Sequence, residues 1–300
     1  MKISVLINNY NYARFLPETI ASVAAQTLPA HEILVVDDGS RDDSPAVLRQ
    51  LQDLHPALRV HAQPNGGQLS AMRAGIRLSE GEWCAFLDAD DIWEPDHLAR
   101  AAAALSAHPE VGVYYSGHRE TQGPPIYRSK WSAGAGGPFA ALVSATGVRI
   151  GTITSTLLLR RDFALGVAGL PDEFDADWRI RADDVLLYAS AFAGAIFWHE
   201  PEQTVRYRIH GGNSFAHGDS AARESLYVRH KERLYAASRE RHDLDASRHL
   251  ELLRDEILTC PPERRSREAL RRYRRAIHRQ KAPLLLRLRA LLQLWRLPRA

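Results

Sequence analysis

Three times within its first 91 residues the chain runs from a short apolar stretch into a polar or acidic loop, and this recurrence limits what it can fold into. Ile3 to Ile7 leads into Asn8-Asn9-Tyr10-Asn11-Tyr12, Glu32 to Val36 into Asp37-Asp38-Gly39-Ser40, and Trp83 to Leu87 into Asp88-Ala89-Asp90-Asp91. The last of these runs is apolar at every position, the pattern of a strand covered on both faces of a parallel sheet. Between the runs, Phe15, Leu16, Thr19, Ile20 and Val23 recur at three- and four-residue spacing, a second helix is expected to open at Asp43 or Ser44 with Pro45, and a third from Gln68 to Leu78. Strands alternating with helices imply a parallel sheet with right-handed crossovers. Ligands of such a sheet bind beyond the carboxyl ends of its strands, where these three loops would gather.

Three carboxylates within four residues cost repulsion and desolvation unless a cation or a hydrogen-bonding ligand neutralises them. A divalent metal carrying a diphosphate would do so. The structural alternative is a polar loop whose aspartates cap a helix running from Pro95 to about His108.

Further along, Leu58 to Ala62 reads as a weaker strand before Pro64-Asn65-Gly66-Gly67, whose glycines permit close backbone approach. Val111 to Tyr115 and Ile153 to Leu159 read as strands, and the Gly- and Pro-rich stretches between them predict an irregular excursion over about 117–150. Gly169 to Phe174 is a turn, and Asp183-Asp184 opens a helix over Val185 to Ala193. Ala195 to Trp198 and Thr204 to Tyr207 are expected as two short strands, and Arg206 to Ser214 closes this part. Trp131 and Trp178 offer aromatic faces that either stack on a ligand's ring or fill the core.

Charge divides the chain in two. Residues 261–300 hold twelve Arg and one Lys against two Glu, a net +11, whereas the whole chain is only +3, so the first 260 residues carry −8. That asymmetry points to an acidic partner for the tail, such as anionic lipid. From about Ser220 the composition turns helical, which sets a boundary between 1–218 and a basic helical extension over 219–300. Its last helix, Leu284 to Leu297, mixes leucines with arginines and a Trp over 283–297, as interfacial helices do; the alternative is that its leucines pack on the domain or in a homodimer.

Two cysteines, Cys84 and Cys260, give no disulfide framework and fit a reducing cytoplasm. The first seven residues are too short for a signal-peptide apolar region, and no run of about 18 uncharged apolar residues predicts a spanning helix. The expected location is cytoplasmic, peripheral on the inner face of the membrane. A nucleotidyltransferase or a dehydrogenase would also place acidic and glycine-rich loops after parallel strands, but no Gly-x-Gly-x-x-Gly follows the first strand and no Gly-x-x-x-x-Gly-Lys-Ser/Thr occurs. No nucleic-acid partner is expected.

In their order and spacing these segments resemble the GT-A-fold glycosyltransferases of family 2, over roughly residues 1–215. Ser4 to Asn11 is similar to that family's opening strand and loop, Val36-Asp37-Asp38-Gly39-Ser40 to its Asp-Asp-Gly-Ser signature, and Asn65 to Gly75 to its Asn-x-Gly stretch. Phe86 to Pro95 is similar to its metal-binding segment. Two positions depart: Ala74 stands where Asn is usual, and Asp183-Asp184 where Glu-Asp is usual.

The resemblance implies an α/β GT-A fold with a Rossmann-like, mostly parallel sheet. It implies transfer, with inversion, from a nucleotide-diphosphate sugar, UDP-linked, to a hydroxyl of a glycan, lipid-linked or cell-surface polysaccharide acceptor, assisted by Mn²⁺ or Mg²⁺. By the same resemblance Asp90 is the metal ligand with His210 beside it, and Asp88 lies near the ribose or the metal's waters. Asn8, Tyr10 and Asp38 surround base and ribose, Arg73 reaches phosphate or a carboxylate of the site, and Asp184 or Asp183 is the general base. An inactive nucleotide-sugar-binding subunit with a working basic tail is the other reading, and the intact Asp88, Asp90 and Asp184 weigh against it.

Overall fold

A computed structural model describes residues 1–122, 134–135, 140–146, 152–213, 221–259 and 267–297. The alternating start of the chain folds as β1 (Ile3–Asn9), α1 (Leu16–Ala24), β2 (Glu32–Asp37), α2 (Ser44–Leu54), β3 (Leu58–Ala62), α3 (Gln68–Leu78) and β4 (Trp83–Asp88). There follow β5 (Ile92–Trp93), α4 (His97–Ala107), β6 (Val111–Glu120), β7 (Gly134–Ala135), α5 (Ala140–Thr146), a 3-10 turn (Thr154–Thr156), β8 (Leu157–Arg160), α6 (Arg161–Ala168), α7 (Glu173–Asp177), α8 (Ala182–Phe192) and β9 (Ile196–Tyr207). Then come α9 (Ala221–Arg241), α10 (Ala246–Thr259), α11 (Arg267–Arg279) and α12 (Leu284–Trp295).

The described strands form one sheet in the order β3-β2-β1-β4-β8-β6-β9-β5, with β7 added on β9. β3, β2, β1 and β4 are parallel, as expected of strands joined by helices. Their register brings the site together: Asn8 stands across from Val36 on one side and Asp88 on the other, and Asn9 across from Asp37. Because alternate side chains point to opposite faces, Val5 and Ile7 meet α1, α2 and α4 below. Leu6, Leu34 and Phe86 meet α3, α6, α7, α8 and α9 above. Both faces of β1, β2 and β4 are covered, which is why these three strands carry long apolar runs, whereas β3 at the edge is only partly buried.

A second, smaller core lies elsewhere. Leu250, Leu253 and Ile257 of α10, Tyr273 and Ile277 of α11, and Ala290 and Leu294 of α12 pack on Ala141 and Leu142 of α5. Glu256 fastens the junction, its carboxylate accepting the Ala141 and Leu142 amides (3.0 and 3.2 Å) and the Tyr273 hydroxyl (2.6 Å). α9, in contrast, gives Tyr227 and Leu234 to the core that covers the sheet.

Several elements differ from expectation. The two short strands at 195–207 are one strand, β9, because Pro201 and Glu202 are absorbed as a bulge: β6 pairs Ser116 with Glu200 and then Gly117 with Gln203. Proline has no amide to offer a ladder and is tolerated where pairing is interrupted. Gly117 permits the bulge, since a Cβ there would lie 2.7 Å from the Pro201 carbonyl. β6 continues to Glu120, into the stretch expected to be irregular; residues 123–133, with Trp131, and 147–151 lie outside the described residues. The segment from Ile153 opens as a 3-10 turn and becomes a strand only at Leu157. α6 follows β8 directly, at a place where no helix was expected. Trp178 is a core residue, 1% exposed and edge-on to Tyr227, not a sugar platform.

Candidate active site

The loops after β1, β2 and β4 meet the start of α8 and the end of β9 around a cleft of about 450 Å³. Asn8, Tyr10, Asp38, Asp88, Asp90 and Asp183 line it, so most of the residues singled out from sequence share one cavity.

Its acidic corner is built from β4. Asp88 accepts the Asn8 amide (3.0 Å) and the Gln68 amide (3.2 Å), yet burial and the neighbouring Asp90 push its carboxyl up to about 7. Asp91 is fully buried and spends its oxygens on the Ser155 hydroxyl (2.5 Å) and the Arg208 amide (3.0 Å), so it ties β4 to the 3-10 turn and to the chain after β9. It caps no helix: α4 begins beyond it, after Asp96. Asp90 pairs with His210, Oδ2 to Nε2 2.9 Å. Burial raises the carboxyls of Asp90 and Asp91 as well, against the opposing pull of His210 on the first. Phe15 and Tyr12 hold the His210 ring, with centroids at 4.6 and 5.6 Å.

On the β2 side, Asp37 is a strand-end turn residue, accepting the Asn9 amide (2.8 Å) and the Ser40 hydroxyl (2.5 Å). Asp38 reaches the cleft but is gripped by its own chain, through the Gly66 and Gly67 amides and the Gln63 amide, each at 2.8 Å. Gly67 holds a positive φ of 93° there, and a Cβ would lie 2.8 Å from Arg179 Cα, so the residue must be glycine.

The opposite wall is the start of α8. Arg181 takes the left-handed conformation (φ 61°) before the helix, and the helix carries Asp183 and Asp184 in its first turn. Successive helical residues diverge by about 100°, so the two part company. Asp183 lines the cleft, while Asp184 is buried and accepts the Tyr227 hydroxyl of α9 at 2.8 Å.

Two residues stand apart from expectation. Arg73 is neither in the cleft nor on a solvated helix face: it is 1% exposed and bonds the Ala168 and Leu170 carbonyls and the carboxylates of Asp172 (2.7 Å) and Asp175 (2.6 Å). It ties α3 to the segment joining α6 and α7, because its position on α3 turns it away from the strand ends. Gln68 was not singled out from sequence. Its amide group donates to Asp88 and accepts the Ala182 amide (3.0 Å), bridging the acidic corner to the first residue of α8. Only the placement of Gln68 at the N-terminus of α3, just after Gly66-Gly67, hinted at such a role.

The sequence profile of Glycosyl transferase family 2 matches residues 4–165, more than half of the chain. The chain belongs to this family. An uncharacterized glycosyltransferase of Nostoc sp. (strain PCC 7120 / SAG 25.82 / UTEX 2576) is 38% identical over 240 residues, covering 75% of this chain and 70% of that protein. A PGL/p-HBAD biosynthesis glycosyltransferase of Mycobacterium bovis (strain BCG / Pasteur 1173P2) is 35% identical over 114 residues, 37% of this chain and 44% of that protein. Among solved structures, S. aureus TarS 1-349 in complex with UDP-GlcNAc aligns over 92% of this chain and 80% of its own with a TM-score of 0.63 at 20% identity. The mannosyltransferase PcManGT from Pyrobaculum calidifontis, in complex with GDP-Man and Mn²⁺, aligns over 97% and 84% with a TM-score of 0.54 at 18% identity. These likenesses show the fold, GT-A, and with the family they make the protein a glycosyltransferase.

The donor set of this glycosyltransferase can be tested for a hard divalent cation. Among the described residues no three or more His, Cys, Asp or Glu side chains are grouped to hold an ion by themselves. The pair Asp90–His210 does fit one that also takes substrate oxygens, which is how such cations are held with one or two carboxylates and the phosphates of a nucleotide. Burial of Asp88, Asp90 and Asp91 in excess of nearby positive charge supplies the electrostatic demand.

Proposed function

We propose that this glycosyltransferase moves a sugar, with inversion, from a UDP-linked donor to a hydroxyl of a glycan, lipid-linked or cell-surface polysaccharide acceptor, in the cytoplasm, with Mn²⁺ or Mg²⁺ as cofactor. One observation carries the reading: a single cleft has Asp90 with His210 at one wall and Asp183 at the other, with Asn8, Asp38 and Asp88 between them. The nucleotide-sugar complexes of TarS and of the Pyrobaculum mannosyltransferase, the latter with Mn²⁺, support the donor class and the cofactor.

In this reading Asp90 and His210 would hold the cation, which when bound would supply positive charge against the leaving diphosphate. Asn8 offers its Oδ1, buried and without a partner among the described atoms, to a donor on the nucleotide, and Tyr10 and Asp38 border the base and ribose. Asp88, held by Asn8 and Gln68, is fixed in orientation for a ribose hydroxyl. Asp183 takes the proton of the acceptor hydroxyl as it attacks the anomeric carbon from the face opposite the diphosphate, which is what inversion requires. Asp184 orients the helix start through Tyr227. An inactive binding subunit would have no need of a carboxylate facing the cation pair across the cleft.

Calorimetry of UDP binding with and without Mn²⁺, on the wild type and on Asp90→Ala, tests the reading. UDP should bind more tightly with Mn²⁺, and Asp90→Ala should abolish that gain and lower transfer by about a thousandfold or more. UDP binding of equal strength with and without the metal would overturn the assignment of Asp90.

A further inference from the structure

α12 shows two faces. Ala290 and Leu294 are buried against α10 and α11. On the other side Leu285, Leu288, Leu292 and Trp295 are spaced by three, four and three residues, so at about 100° per residue they form one stripe. All four are exposed, Leu285 at 81% and Trp295 at 68%, and Leu284 at 61% extends the stripe at its start. Scattered single apolar residues on a surface need no explanation, but a contiguous stripe on one helix marks an interaction face. Arg289 and Arg296 are exposed along its edge. The neighbouring α11 adds Arg267, Arg271 and Arg275 at four-residue spacing around a shared surface hollow.

We infer that α12 lies in the plane of an anionic lipid bilayer, with its Leu285–Trp295 stripe in the acyl boundary and its arginines among the lipid phosphates. Charge selects this occupant. A second copy of the chain seated on the stripe would bring together two segments that each carry +11 within their last 40 residues, whereas an anionic headgroup layer neutralises them. Length selects the geometry. Twelve residues of helix span about 18 Å, well short of the roughly 20 apolar residues a crossing needs, and none of the described helices is long and apolar enough to cross. A leucine-rich face with basic flanks and a tryptophan at its end is the composition of an interfacial helix.

The stripe is also fixed in place. α12 shares its core with α10, α11 and α5, Glu256 clamps α5 to α10 and α11, and α5 packs on α8, which carries Asp183. The surface therefore holds a constant orientation to the cleft. This inference stands apart from the proposed reaction, because its test reads vesicle binding and not turnover.

The experiment is co-sedimentation of the full chain with vesicles of phosphatidylcholine alone and of phosphatidylcholine with about one-third phosphatidylglycerol, at about 0.15 M salt. The wild type should pellet with the anionic vesicles and stay in solution with the neutral ones. Leu285→Gln/Leu292→Gln/Trp295→Gln, which leaves Ala290 and Leu294 in place and keeps good helix formers, should lose partitioning about tenfold or more with an unchanged melting temperature. Arg289→Glu/Arg296→Glu should lose it as well and remove much of its salt sensitivity. No binding by the wild type would overturn the inference, as would undiminished binding of the triple glutamine variant. So would a dimer of the wild type, seen by sedimentation without vesicles, that the triple variant turns into monomer, since the stripe would then belong to a second copy.

Discussion

Arg73 and the carboxylates of Asp88, Asp90 and Asp91 are charges held inside the same domain, and the chain treats them in opposite ways. Every nitrogen of the Arg73 guanidinium finds acceptors, in two carbonyls and two aspartates, so its charge is met within the fold. The three aspartates are met in part: their hydrogen bonds come mostly from neutral amides and hydroxyls, and Asp90 pairs with the imidazole of His210. Burial accordingly raises all three carboxyls. A buried charge completed by its own chain is architecture, while one left short of counter-charge marks the place where a ligand's charge belongs.

That contrast can be broken at several points. The largest effect should come from the far wall of the cleft: Asp183→Asn is expected to cut turnover by about 10² to 10⁴ while UDP affinity stays within a few-fold, because a general base acts on the acceptor and not on the nucleotide. Asp184→Asn should cost less in rate. If steady-state kinetics gave the reverse order, the base would be Asp184 and the Tyr227 contact would have to open during the reaction.

Next in size is Arg73→Met. Removing one partner of a buried charged cluster should lower unfolding free energy by about 3 to 5 kcal/mol in a denaturant titration, toward the low end here because Asp172 is largely exposed. UDP affinity below the unfolding transition should hold within about twofold. A large loss of UDP affinity at unchanged stability would return Arg73 to the site.

Glu256 lies between the two cases. Its residue is partly exposed, but its carboxylate is enclosed and accepts the Ala141 and Leu142 amides and the Tyr273 hydroxyl, and burial pushes it up to about 7 from an ordinary value of 4.5. A folded-state value above the unfolded one means that the associated stability is present below about pH 4.5 and is lost as pH rises through about 7. The fold should then be less stable at pH 8 than at pH 5 by about 2 to 3 kcal/mol from this group. Melting curves of Glu256→Gln should lack that component, and an identical pH dependence in the two proteins would show that Glu256 is charged throughout.

The parallel half of the sheet was legible in the sequence because burial on both faces leaves an unbroken apolar run, as in Trp83 to Leu87, and because each run ends in residues unsuited to a strand interior. The bulge at Pro201 was not, since a proline read locally divides a strand, and only the pairing with β6 shows that two residues are looped out while the ladder resumes. α6 left a faint mark, Ala164, Val167 and Ala168 at helical spacing, obscured by its direct continuation from β8. Among site residues, the clustering of Asn8, Asp38, Asp88, Asp90 and Asp183 could be anticipated from topology, whereas the direction of a single helical side chain could not. Arg73 and Asp184 each lie one turn or less from residues that reach the cleft, and a rotation of about 100° per residue sends them into the core.

By itself the sequence determined the alternation of strands and helices, the gathering of polar loops at one end of the sheet, the family, and the separation of a basic, leucine-rich tail from an acidic body. Those follow from local pattern and order along the chain, which sterics and burial translate into structure without knowledge of distant partners. The tertiary structure alone decided which carboxylate of the pair on α8 faces the cleft, that Gln68 joins the acidic corner to that helix, that Arg73 is spent on the fold, and which leucines of α12 are left in the open. Each of these depends on a contact between segments dozens of residues or more apart, and the energy of a buried charge or an exposed leucine is set by those neighbours rather than by the residue's place in the chain.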